Sequence, residues 1–82
     1  MDDASLRARA REAIESGALP RDQPLHTWGG RGTGRHCDVC GRAIPPAETE
    51  LELEFVAAGR PLPLLRMHPQ CFMVWQQVRH EA

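Results

Sequence analysis

The sequence predicts a small α+β domain with a helix near each terminus and a β-hairpin between them. A chain of 82 residues has room for one domain. Apolar residues recur at helical spacing near both termini, and residues 48–56 alternate with a period of two. Only 5% of the residues are aromatic. A core this small and this poor in aromatic side chains is marginal, so we expect a further cross-link to stabilise it.

Residues 3–16 predict the first helix. A narrow apolar stripe is formed by Leu6, Ala10, Ala13 and Ile14, and we expect it to pack on the core rather than to bind a partner. Gly17 can end the helix in the left-handed conformation. Three polar residues can cap its N-terminus: Asp2, Asp3 and Ser5.

Residues 18–36 predict an irregular loop, because they contain two prolines and four glycines. Trp28 stands alone in this segment, and we expect it to insert into the core and hold the loop. The glycines between positions 29 and 34 suggest a phosphate-binding loop, but the Lys-Ser/Thr pair of that motif is absent. We therefore do not expect nucleotide binding.

Residues 48–56 predict a half-buried strand with an acidic, solvated face. Four glutamates lie on that face: Glu48, Glu50, Glu52 and Glu54. Residues 57–60 predict the hairpin loop, and residues 64–68 the returning strand.

A second helix is predicted over residues 69–80, because Pro69 suits the first helical position. One face of this helix is apolar and carries Cys71, Val74, Trp75 and Val78.

Two pairs of metal-ligating residue types stand at the ends of these elements. Cys37 and Cys40 form a Cys-x-x-Cys pair followed by Gly41, which allows the chain to turn back on itself. His68 and Cys71 form a second pair where a strand meets a helix. Sulfur and imidazole ligands in this number predict a tetrahedral zinc ion, and a set of four protein ligands is typical of a structural site.

Other interpretations of these residues are weaker. A thioredoxin-like dithiol leaves His68 and Cys71 without a role. His36 is adjacent to Cys37 and His26 lies in a predicted loop, so His68 is favoured as the fourth ligand. Catalytic zinc motifs and recognisable catalytic groupings are absent from the sequence, and we do not expect an enzyme.

The order of a ligand turn, a hairpin and a ligand pair at a helix start resembles the treble-clef zinc fingers. The pattern Cys-x2-Cys…His-x2-Cys, with HPQCF at its end, is similar to the first zinc module of LIM domains. The gap of 27 residues between Cys40 and His68 exceeds the usual LIM spacing, and there is no second module. The stretch TWGGRGTGRHCDVCGRAI resembles small bacterial zinc-finger-like proteins. These resemblances imply a finger over residues 37–82, with residues 1–36 packed on it.

Composition narrows the classes of partner. The net charge of −1 gives no general attraction to nucleic acid or to a membrane. We expect a non-catalytic adaptor or regulatory module that acts through protein contacts in the cytoplasm, since no signal-like segment precedes the first helix. The alternative is a nucleic-acid-binding, transcription-related zinc finger. Three arginines would then contact phosphates: Arg31, Arg35 and Arg42.

Overall fold

A computed structural model describes residues 1–81, so Ala82, the last residue of the predicted finger, lies outside the described residues. Residues 1–81 form two helices and a small antiparallel sheet, which agrees with the predicted α+β class. The elements in chain order are α1 (Asp3–Ser16), β1 (His26–Arg31), β2 (Thr49–Glu54), β3 (Val56–Ala57), β4 (Arg60–Pro61), β5 (Leu65–Met67) and α2 (Pro69–Glu81).

The first helix begins and ends where local signals place it. Asp2 is the N-cap of α1, and its side chain accepts a hydrogen bond of 2.8 Å from the Ser5 amide. Gly17 ends α1 with a φ of 85°, a conformation that other residues rarely adopt. The two helices pack against each other, and the apolar face of α2 also covers β2 and β5. The stripe of α1 is therefore part of the core.

The sheet has the strand order β1-β2-β5, and all of its pairs are antiparallel. The short strands β3 and β4 extend the hairpin formed by β2 and β5. Leu53, Phe55 and Met67 are buried on the side that faces α2, and the Phe55 ring meets Trp75 edge to face. The opposite side of the sheet is not covered by either helix.

The prediction of a loop over residues 18–36 is wrong for its second half. Residues 26–31 form β1, in register with residues 49–54 of β2. Trp28 does not insert into the core, because 49% of its surface is exposed. The reason for both errors is that the glycine-rich segment has little strand propensity of its own, and pairing with β2 determines its conformation.

The prediction of a fully solvated glutamate face is also wrong at one position. Glu50 is 2% exposed, and its carboxylate accepts hydrogen bonds from the amide and hydroxyl of Thr33 at 3.0 and 2.8 Å. Arg66 Nε donates to the same carboxylate at 3.1 Å. Burial tends to raise the pKa of Glu50, but these donors outweigh it and the pKa is lowered.

Candidate metal centre

Cys37 and Cys40 lie in a tight turn. The Gly41 amide donates to the Cys37 carbonyl at 2.9 Å, and Gly41 has a φ of 78°. This left-handed position explains the glycine, because a side chain would be strained there. The Cys37 amide donates to the Arg42 carbonyl at 2.8 Å, so the chain reverses within a few residues. The turn therefore holds both sulfurs on one side of the chain.

Backbone amides point at both sulfurs of this turn. The Val39 amide lies 3.4 Å from Cys37 Sγ, and the Arg42 amide lies 3.4 Å from Cys40 Sγ. Hydrogen bonds of this kind stabilise thiolates over thiols, and they orient sulfur ligands around a metal. The local backbone is thus arranged for two negatively charged sulfurs.

His68 and Cys71 come from the junction of the hairpin and the second helix. His68 directly follows β5, and its carbonyl accepts the Phe72 amide at 2.9 Å as α2 begins. Cys71 lies in the first turn of α2, where the helix dipole favours a thiolate. Pro69 between them suits the first helical position. The strand end and the helix start therefore fix the separation of the two ligands.

The four predicted ligand residues converge on one point. Their ligand atoms all lie within 4.8 Å of one another. His68 Nδ1 is 3.5 Å from Cys40 Sγ and 3.8 Å from Cys71 Sγ. A tetrahedral zinc ion with bonds of about 2.3 Å separates its sulfur ligands by about 3.8 Å. The geometry is consistent with a Cys3His site for a single metal ion.

Further contacts orient the ligands from outside the cluster. His68 Nε2 lies 3.2 Å from a carboxylate oxygen of Glu48, which leaves Nδ1 free to bind a metal. Asp38, between the two cysteines, is joined to Arg66 of β5 by two hydrogen bonds. The Asp38 amide donates to the Arg66 carbonyl at 2.7 Å, and the Arg66 amide donates to the Asp38 carboxylate at 2.7 Å. These bonds attach the cysteine turn to the strand that precedes His68.

The thiols of the cluster influence one another's protonation. A hydrogen bond from Cys71, helped by nearby amides, lowers the pKa of Cys37 to about 4. The same contact, together with burial and the neighbouring sulfurs, raises the pKa of Cys71. All three cysteines are buried. One thiolate thus makes the next harder to form, and a bound divalent ion would remove this conflict.

The remaining histidines lie outside the cluster. His36 Nδ1 is 2.9 Å from the Gly41 carbonyl, His26 pairs with Glu54 at 2.7 Å, and His80 is exposed near the end of α2. The preference for His68 among the candidates thus agrees with the geometry.

The structure brings none of the three predicted arginines into the cluster. Arg31, Arg35 and Arg42 are exposed, and within residues 1–81 none makes an ion pair.

A cavity of about 460 Å³ lies beside the cluster of candidate ligand residues. Cys40, His68 and Cys71 form part of its wall, and Arg42 and Gln70 line it as well. The cavity gives a path by which a metal ion can reach its ligands.

The supporting residues Glu48, Asp38 and Arg66 were missed from the sequence as parts of the site. Their roles depend on contacts between residues 20 to 28 positions apart, and no spacing rule marks them. A weak signal exists for Glu48 alone, since histidine ligands commonly donate their second nitrogen to a carboxylate.

Comparisons with protein-family models, with curated proteins and with solved structures find no match to this chain. Neither helix of the described residues is long and apolar enough to cross a membrane.

Proposed function

We propose that this chain is a small non-catalytic protein-binding module folded around one structural zinc ion. The observation that carries the proposal is the convergence of Cys37, Cys40, His68 and Cys71 within 4.8 Å. Soft thiolates with one imidazole favour zinc among the common divalent ions. Four protein ligands fill a tetrahedral shell, which leaves no position for water or substrate. A closed shell supports a structural role for the ion.

The order of the elements supports a treble-clef-like finger. The cysteine turn comes first, the hairpin of β2 and β5 follows, and α2 supplies the last ligand. In this proposal the ion joins the turn to the helix, while α1 packs on α2 and completes the core. Because Cys37, Cys40 and Cys71 are all core residues, the ion would join the turn and the helix inside the core.

Metal content and coordination test the zinc site directly. Native mass spectrometry should find one zinc ion per chain. Replacement by cobalt should give the intense visible absorption of tetrahedral thiolate coordination, and added cyanide or azide should leave that spectrum unchanged. A spectrum that changes with either anion would reveal an open position, and it would contradict the non-catalytic assignment.

The alternative is a nucleic-acid-binding finger. It is supported by the exposure of Arg31, Arg35 and Arg42, none of which has an ion-pair partner in residues 1–81. Arginines of this kind suit phosphate contacts. A fluorescence titration with mixed-sequence DNA and RNA at low salt tests it. Binding at micromolar protein that weakens steeply with salt would favour this alternative, and absence of binding would remove it.

A further inference from the structure

The side of the sheet that faces away from α2 carries an aromatic row beside an acidic row. His26 and Trp28 of β1 are opposite Glu54 and Glu52 of β2, and Arg66 of β5 is the next neighbour of Glu52. The His26 and Trp28 rings are 5.5 Å apart. Side chains that alternate along paired strands share a face, so these five residues lie together. We call them the open face.

Some charged side chains of the open face have an ion-pair partner among residues 1–81, and one does not. Arg66 is bonded to the buried carboxylate of Glu50, and Glu54 is paired with His26. Glu52 makes no ion pair with any residue from 1 to 81. On this side of the sheet three carboxylates, those of Glu50, Glu52 and Glu54, meet a single guanidinium, that of Arg66. The open face therefore attracts a cation.

Trp28 is placed to contact such a cation. Nearly half of its surface is exposed, and it is followed by two glycines. A Cβ atom at Gly30, which shares the face, would meet nothing within 4 Å. The ring therefore has open space beside it along β1. An ammonium or guanidinium group over an indole ring is attracted by the ring's quadrupole, and Glu52 directly opposite supplies the counter-charge.

The two edges of the sheet differ. Both backbone groups of Arg66 on the outer edge of β5 are bonded to Asp38. The outer edge of β1 has no partner strand among the described residues. The Gly32 amide donates to the Glu48 carbonyl at 2.9 Å, so the backbone N–H and C=O groups of the even-numbered residues of β1 point toward β2. The backbone groups of Thr27 and Gly29 therefore point outward.

We propose that β1 binds an extended peptide that carries arginine or lysine. The peptide adds a strand to the outer edge of β1 and lays a basic side chain over Trp28, next to Glu52. Strand addition supplies main-chain hydrogen bonds, and side chains at alternate positions supply specificity. An acidic peptide would meet repulsion from the same carboxylates. This inference rests on the proposed function as a protein-binding module, and it names the class of partner.

The test uses the zinc-loaded chain and a fluorescein-labelled peptide of eight residues that alternates arginine with valine. The control peptide has citrulline in place of arginine, which keeps the shape and removes the charge. Fluorescence anisotropy should show saturable binding of the arginine peptide. Binding of the citrulline peptide should be at least about fivefold weaker, as expected for a lost cation–π contact and charge pair.

Three variants separate the parts of the proposed site. Trp28→Leu and Glu52→Gln should each weaken binding about threefold or more. Thr27→Pro removes an outward-facing N–H without removing a bond to β2, so it should abolish strand addition while the fold persists. Thr27→Val is its matched control and should bind as the parent chain does. Circular dichroism and zinc content verify that each variant is folded.

Some outcomes would overturn the inference. Equal binding of the two peptides would refute the role of charge, and unchanged binding by Thr27→Pro would refute strand addition. If a folded, zinc-loaded chain binds neither peptide, the inference fails while the zinc site stands. If that chain instead forms a dimer that Thr27→Pro abolishes, a second copy occupies the edge and the inference is refuted. A chain without zinc would contradict the proposed function instead.

Discussion

Removal of the metal ion should unfold this domain. A chain of 82 residues has an expected free energy of unfolding of about 4–12 kcal/mol. Structural zinc contributes about 10–16 kcal/mol in zinc-finger peptides, which overlaps the top of that range and extends above it. All three cysteine ligands are core residues, and Val39 and Ile44 of the adjoining turn are buried with them. Without the ion, this part of the core keeps only its apolar contacts and a few hydrogen bonds, such as those between Asp38 and Arg66 and between Arg9 and the Val39 carbonyl.

The assay follows α-helical content by far-ultraviolet circular dichroism during titration with a strong zinc chelator. We expect the helical signal to be lost, and to return when zinc but not magnesium is added back, because magnesium prefers oxygen ligands. A metal-free chain that keeps its helical signal and melts within about 8 °C of the loaded chain would refute the reasoning. Such a shift corresponds to only about 1–2 kcal/mol for a domain of this size.

Three further predictions concern single residues. Cys40→Ser should lower the free energy of unfolding by more than about 4 kcal/mol, because it removes a proposed metal ligand. His36→Ala removes one exposed hydrogen bond and should lower it by only about 0.5–1.5 kcal/mol. Urea denaturation measures both changes. Gly32→Ala should destabilise the domain by about 1–3 kcal/mol. A Cβ atom there would collide with the Pro45 carbonyl oxygen and lie 2.5 Å from the Ile44 carbonyl oxygen. Gly30→Ala should instead stabilise the strand by about 0.5–1 kcal/mol, and thermal melts compare the two. Glu50→Gln should cost about 1.5–3 kcal/mol at neutral pH, as measured by urea denaturation at several pH values.

The pH dependence of the Glu50→Gln difference follows from its sign. The pKa of Glu50 is lowered in the folded chain, so its stabilising effect is present above the ordinary carboxyl pKa of about 4. The effect is lost as the pH falls through the folded pKa, and parent and variant should converge in acid. A constant difference at every pH would contradict the role of the charge.

Equal damage from His36→Ala and Cys40→Ser would reassign the fourth ligand, and a harmless Gly32→Ala would contradict the close backbone approach.

Much of this protein was predictable because the relevant physics is local. The bounds of α1 follow from a capping aspartate and a left-handed glycine a few residues from the helical stripe. The start of α2 follows from Pro69. The convergence of the four candidate metal ligands was predictable because a Cys-x-x-Cys turn and a His-x-x-Cys helix start each make a chelating pair within four residues.

Tertiary structure decided what depends on distant partners. The strand β1 exists because β2 supplies its hydrogen bonds, since its glycines and lone tryptophan carry no strand pattern. Glu50 is buried although its neighbours at the same spacing are not, because Thr33 and Arg66 approach it from two other segments. Trp28 is exposed because β1 is an edge strand, and the side chains of its even-numbered residues face away from α2. Spacing along the chain therefore indicated the four candidate metal ligands, whereas only the packing of the sheet created the open face.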